Sequence, residues 1–212
     1  MRKSEWGVLV IVLASVATGL FFYPQLPPVV ASHWDAGGNV NGYMAKGWAV
    51  AMFPIIIAIM FVIFLIIPRV DPKRENIAKF RNYFDYLIIA ISFLFYYFFL
   101  LFLFWNLGVP FNFTAAIIPA FSFLFWFIGM ILPHTEPNWF IGIRTPWTIS
   151  SDAVWKKTHE AGGRWFKISA LVSLLGIVLP SIAIWLMLVP IIATSIGVVV
   201  YSYVLYEREK KV

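Results

Sequence analysis

The chain has 212 residues, 61% of them hydrophobic, 19% aromatic and only 12% charged, with mean hydropathy +0.85 and a formal net charge of +6. Soluble domains sit nearer half apolar and a quarter charged, so too little polar surface remains here to cover a water-facing core, and the chain falls in the membrane class. It contains no cysteine, which excludes disulfides, thiolate zinc sites and cysteine nucleophiles. The basic residues flank apolar runs, so the positive balance points to lipid headgroups and membrane orientation rather than to direct nucleic acid binding.

A helix needs roughly 20 apolar residues to cross the hydrocarbon layer. Runs of that order occupy residues 6–23, 48–68, 84–107 and 113–132, and a longer stretch, 166–206, is long enough for two helices. The first run exceeds an ordinary signal-peptide core and no A-x-A site follows it, so it reads as a retained span. In the last stretch Pro180 and Pro190 bracket the expected turn, placed at residues 181–189. The expected fold is an all-α integral membrane protein, a six-helix transmembrane bundle forming a single membrane domain over residues 1–212. Of the sixteen Lys and Arg, only Lys46 falls in an outer segment when the N-terminus is placed inside. The positive-inside rule therefore predicts a multi-pass protein of the plasma membrane with both termini cytoplasmic.

No ionisable residue lies deep within an expected span, and Asp85 sits near the inner end of the third. Proton relays, voltage sensors and most ion-coupled transporters need such a group at depth. Neither a P-loop nor an H-E-x-x-H zinc motif is present, and no cofactor is implied. The serines, threonines and glycines scattered through the spans read as helix-packing residues.

Between the first two spans, residues 26–48 read as an extracellular loop. Segments 29–35 and 40–44 can pair across Ala36-Gly37-Gly38-Asn39, whose Gly and Asn supply the positive φ that tight turns require. His33, Asp35 and Lys46 are its only ionisable groups; they are candidates for ligand recognition, or else serve the turn and the start of the second span. One carboxylate, with Lys46 where a bidentate Glu belongs, is too few for calcium. The order L-P, H-W-D-A-x-G, N-G-Y and K-G before a span resembles the DUF1648 family, here over residues 1–68.

The longest polar stretch, 138–166, lies between the fourth and fifth spans. Pro133, Pro137 and Pro146 forbid a continuous helix there. Ser150 or Ser151 can cap a short helix over 153–160, favoured by Asp152 in its first turn and ended by Gly162 and Gly163. That helix is expected at the headgroup interface, with Trp155 embedded and Lys156 and Lys157 near phosphates. Arg144 can clamp a carboxylate, a phosphate or backbone carbonyls. The string N-W-F-I-G-I-R-T-P-W-T-I-S-S-D-A-V-W-K-K-T-H closely resembles the signature of SdpI-type membrane proteins, here within residues 113–206. On that resemblance Asn138, Arg144, Thr145, Trp147, Trp155 and His159 become candidates for ligand or partner binding.

The resemblance implies a non-enzymatic immunity or sensor protein. Such a protein would protect against a secreted membrane-active peptide toxin and could sequester a soluble cytoplasmic repressor at the membrane. Two alternatives stand beside it. One is a small transporter or flippase, for which the spans offer only hydroxyls. The other is an enzyme acting on phosphorylated lipid at the inner interface, in which Arg144, Lys156, His159 and Glu160 would supply binding and acid–base groups.

Overall fold

The computed structural model describes residues 2–211 and is mostly helical. In chain order it runs through α1 (Lys3–Phe22), the strands β1 (Val29–Trp34) and β2 (Val40–Ala45), α2 (Lys46–Val70) and a short α3 (Arg74–Lys79). There follow α4 (Arg81–Asn106), α5 (Phe113–Ile131), α6 (Pro146–Ser150), α7 (Asp152–Leu174) and α8 (Ala183–Glu209). Five segments, Lys3–Gln25, Lys46–Val70, Arg81–Asn106, Phe113–His134 and Pro180–Glu209, are long and apolar enough to cross a membrane. Pro54, Pro68, Pro119 and Pro190 lie inside these helices, as lipid-embedded helices allow because neighbours can satisfy the freed backbone groups.

The helices form two three-helix halves. In the first, α1, α2 and α4 pack around Val8, Phe64, Ile77, Phe84 and Ile88 at one end and around Val50, Phe99 and Leu103 at the other. In the second, α5, α7 and α8 enclose Ile118, Phe125, Ala170, Ala183 and Met187. Hydroxyls tie the helices laterally: Thr18 to Tyr96 at 2.9 Å, and Ser169 to Thr194 at 2.8 Å. Each such bond is worth about 0.6 kcal/mol on average in a bilayer.

The two ends of the bundle differ. The hairpin and the α4–α5 turn share one end, where Trp34 stacks on Phe113 with ring centroids 3.8 Å apart. The N-terminus, the α2–α3 turn and the segment before α7 share the other. There Arg2 and Arg81 grip the buried Asp85 at 2.6 and 2.8 Å, and Asn76 Nδ2 donates to the Pro137 carbonyl at 2.8 Å. The C-terminal part of α8 reaches the same end, with Thr145 Oγ1 3.0 Å from Ser202 Oγ. Residues 2 and 211 are therefore at the same end of the bundle.

Two sequence expectations need correction. The turn between the last two long helices lies at residues 175–182, built from two 3-10 turns, and not at residues 181–189; Pro190 sits inside α8. The helix expected to end at Gly162 and Gly163 runs on to Leu174. Those glycines do not stop α7 because they let it touch its neighbours. A Cβ on Gly163 would stand 2.9 Å from the Gly129 carbonyl oxygen of α5, and one on Gly129 would stand 2.6 Å from the Gly163 oxygen. Contact of this closeness, available only without side chains, offsets the roughly 1 kcal/mol that each glycine costs a helix.

Candidate functional site

The hairpin pairs antiparallel with Val30 opposite Met44 and Ala31 opposite Tyr43. Its turn is organised by Asp35, whose Oδ1 accepts from the backbone N–H groups of Gly37 and Asn39, both at 2.9 Å. These donors, Asn39 first, hold the exposed carboxyl below its ordinary range. His33 Nδ1 is hydrogen-bonded to Asn41 Oδ1. Lys46 faces inward to the chain: its Nζ donates to the carbonyls of Leu26 at 3.1 Å and Tyr23 at 3.3 Å. Asn106, which the sequence reading passed over, fastens the hairpin to α4. Its Oδ1 accepts from the Ala31 N–H at 2.7 Å and its Nδ2 donates to the Ala31 carbonyl at 3.1 Å. Among the described residues, no three His, Asp or Glu side chains gather to hold a metal ion.

At the other end, Asn138 is fully buried and uses its whole amide. Oδ1 accepts from Phe140 and Ile141 N–H at 2.9 and 2.7 Å, while Nδ2 donates to the carbonyls of Glu136 and Ile141, both at 2.8 Å. The chain then needs Gly142, at φ +121°, where a Cβ would lie 2.5 Å from His159 Nε2. His159 Nδ1 donates to the Trp155 carbonyl at 2.7 Å, because a carbonyl can only accept, and so Nε2 accepts the Ile143 N–H at 2.9 Å. This places the proton on Nδ1 of a neutral ring. Burial, in the charged part of α7 that precedes its apolar half, pushes His159 down to about 4.

Trp155 stacks on His159, with centroids 4.1 Å apart, and its Nε1 donates to the Thr135 carbonyl at 2.9 Å. At 1% exposure, Trp155 is embedded in protein and not in headgroups, since α7 packs its Trp155 face on the loop. Thr145 caps α6: its Oγ1 accepts the Thr148 N–H at 3.2 Å, and Thr148 Oγ1 accepts the Thr145 N–H at 2.9 Å. Ser151 caps α7 through the Val154 N–H at 3.2 Å. Trp147 is half-buried and meets Tyr203 of α8 at 5.1 Å. Arg144 is exposed and donates from Nη1 to the Trp139 carbonyl. Among the described residues no carboxylate pairs with it.

The structure therefore joins Asn138, Trp155 and His159 in one buried network, Thr145 and Trp147 to α8, and leaves Arg144 at the surface. It places His33, Asp35 and Lys46 at the opposite end. Asp71 is a further member that the sequence did not suggest. Its buried carboxylate accepts the Lys73 N–H at 2.6 Å and the Trp139 N–H at 2.9 Å, tying the α2–α3 turn to the loop. An Asp before Pro is an ordinary turn signal, and nothing in the chain order marks its bond to residue 139.

An apolar cavity of about 660 Å³ lies on the seam between the two halves, between α4 and α5, with Phe140, Ile141 and Ile143 of the loop at its base. A smaller one of about 230 Å³ lies beneath the hairpin, and Phe98 and Phe121 border both.

Residues 10–66, spanning most of α1, the hairpin and most of α2, match the model for the domain of unknown function DUF1648. Residues 134–203, from the loop to α8, match the model for the SdpI/YfhL protein family. The chain joins a DUF1648 region to an SdpI/YfhL-family region. It is also similar to Immunity protein SdpI of Bacillus subtilis (strain 168), with 24% identity over 156 residues that cover 74% of this chain and 72% of that protein. No solved structure matches the chain. Both the hairpin and the Asn138–His159 network fall inside the matched regions, whereas the whole of α4 and α5 falls between them.

Proposed function

We propose that this protein is a plasma-membrane immunity or sensor protein that protects its cell from a membrane-active peptide toxin. The observation that carries this reading is the similarity to an immunity protein over 74% of the chain, with the DUF1648 and SdpI/YfhL regions in one molecule. The hairpin would face outward and the Asn138–His159 network the cytoplasm, together with both termini. The gathering of almost all Lys and Arg toward that end supports this orientation. The bundle would cross the membrane six times, with the apolar second half of α7 and the turn after it completing the fifth crossing.

In this reading His33, Asp35 and Lys46 lie on the side that a toxin meets first. The two halves offer the two-state element: a ligand that binds one arrangement of the seam better than another shifts the population toward it. The inner loop, packed on both halves through Asp71 and Ser202, would report that shift. The cytoplasmic lysines would then present the surface that holds a soluble repressor at the membrane. The commitment of both His159 nitrogens to backbone groups supports a binding role over acid–base catalysis, which would need one of them free.

Expression in a toxin-sensitive strain tests the proposal. Survival should rise when the protein is inserted, and unchanged killing in cells whose membranes contain it would refute the immunity role.

A further inference from the structure

We propose that the seam cavity is a lipid site: it takes one acyl chain from the leaflet at the Asn138–His159 end, with an anionic headgroup held by Arg144. Depth is the first argument. The cavity wall runs along α4 from Leu87 to Phe98 and along α5 and the turn beyond it from Phe121 to Leu132. Eleven residues of helix rise about 16 Å, close to half of the roughly 30 Å hydrocarbon layer. It is the depth of one leaflet. The Phe98 and Phe121 rings, 5.3 Å apart, stand at the far limit and separate this cavity from the one beneath the hairpin.

The chemistry of the wall selects the occupant. Thr135 contributes its only side-chain hydroxyl, which already donates to the Leu132 carbonyl, while the Thr135 carbonyl accepts from Trp155. The backbone N–H groups of Phe140, Ile141 and Ile143 at the base are taken by Asn138 and His159. An extended peptide entering here would leave its own amides unpaired, at several kcal/mol for each group in lipid. A helix about 10 Å wide would fill the cavity with roughly 8 Å of its length, under two turns. A methylene chain asks for no hydrogen bond and, extended, spans the depth.

Charge supplies the headgroup end. Arg144 bridges the base of the loop to Trp139 with one N–H group and has no carboxylate partner among the described residues, so further donors of its planar fork remain for a phosphate. The exposed Lys156, Lys157 and Arg164 lie on the neighbouring charged part of α7.

Full-length protein in phosphatidylcholine vesicles, doped with phosphatidylglycerol carrying a mid-chain diazirine, tests this by photolabelling and peptide mapping. Labels should concentrate on residues 87–98 and 121–132 by roughly tenfold over α2 and α8, a difference that ordinary site affinity supplies. Leu124→Trp, which fills the cavity, should remove that excess, and Phe123→Trp, on the other face of α5, should leave it. Arg144→Gln should reduce phosphatidylglycerol labelling to that of a phosphatidylcholine probe, and Arg144→Lys should restore part of the preference. Native mass spectrometry should find one phospholipid retained per chain. Even labelling of all lipid-facing helices, a headgroup-indifferent site, or a lipid-free dimer joined through α5 would each overturn the proposal.

Discussion

The hairpin and the Asn138–His159 loop are both polar interruptions of an apolar chain, yet they use their polar residues in opposite ways. In the hairpin, Asp35, Asn39 and Asn41 bond to partners within the hairpin itself and stay exposed. In the loop, Asn138, Thr148 and His159 are buried, and His159 reaches across sixteen residues to the Ile143 N–H. Water can replace a lost hydrogen bond in the first region. In the second, each deletion strands a buried donor or acceptor, which costs about 1–3 kcal/mol. Polar residues of similar type therefore carry quite different energies at the two ends of one bundle.

The sharpest way to break the comparison is Asn138→Leu. It removes both acceptor bonds and both donor bonds of a fully buried amide, and two N–H groups lose their partner at once. The loss should be about 3 kcal/mol or more, seen as a marked fall in thermal unfolding temperature in detergent. Stability unchanged within about 0.5 kcal/mol would mean that the loop is not held as described.

A pH titration sharpens it next. His159 is neutral when folded, held down to about 4, whereas its unfolded value is near 6.5. The unfolded chain binds the extra proton, so stability is complete above pH 6.5 and declines as pH falls toward 4. The full effect is about 3 kcal/mol. Between pH 6.5 and 5 most carboxylates stay ionised, and the part of the decline that His159→Gln removes belongs to this histidine. An unfolding temperature independent of pH across that interval would contradict the buried neutral ring.

Much of this architecture was legible from apolar run length, which marks α1, α2, α4, α5 and α8, and from the Gly and Asn of the hairpin turn. The continuity of α7 was not. Gly162 and Gly163 read as a stop in isolation, and only the approach of Gly129, on another helix, makes them interior residues. The polar signature around Asn138 marked where the loop lies, but its pattern gives residue types and not the direction of their bonds. Trp155 could as well have met headgroups as the Thr135 carbonyl. Asp71 and Asn106 act through contacts 68 and 75 residues away, a range at which local sequence carries no signal.

Asp71→Asn should have a smaller effect than either change in the loop core. The amide keeps one acceptor oxygen but turns an NH₂ toward one of the two backbone donors, Lys73 or Trp139. About 1–2 kcal/mol should be lost. Amide hydrogen exchange should show faster opening at residues 139–143 while the hairpin is unchanged. Equal acceleration at both ends would mean that the tie spans the bundle and does not belong to the loop.

The smallest effect is expected for Asp35→Ala, and it separates the two regions most cleanly. Its carboxylate accepts from Gly37 and Asn39, and those donors keep its pKa below the ordinary value, so its contribution is present near neutrality and fades as pH falls through that lowered value. The group is exposed, and water will satisfy both N–H groups when the side chain is removed. Exchange at Gly37 and Asn39 should therefore quicken at pH 7, while the global unfolding temperature should not move. The antiparallel pairing should persist because Asn106 still holds Ala31 from α4. A fall in global stability comparable to that of Asn138→Leu would show that the hairpin turn is coupled to the bundle core, and the contrast between the two ends would then fail.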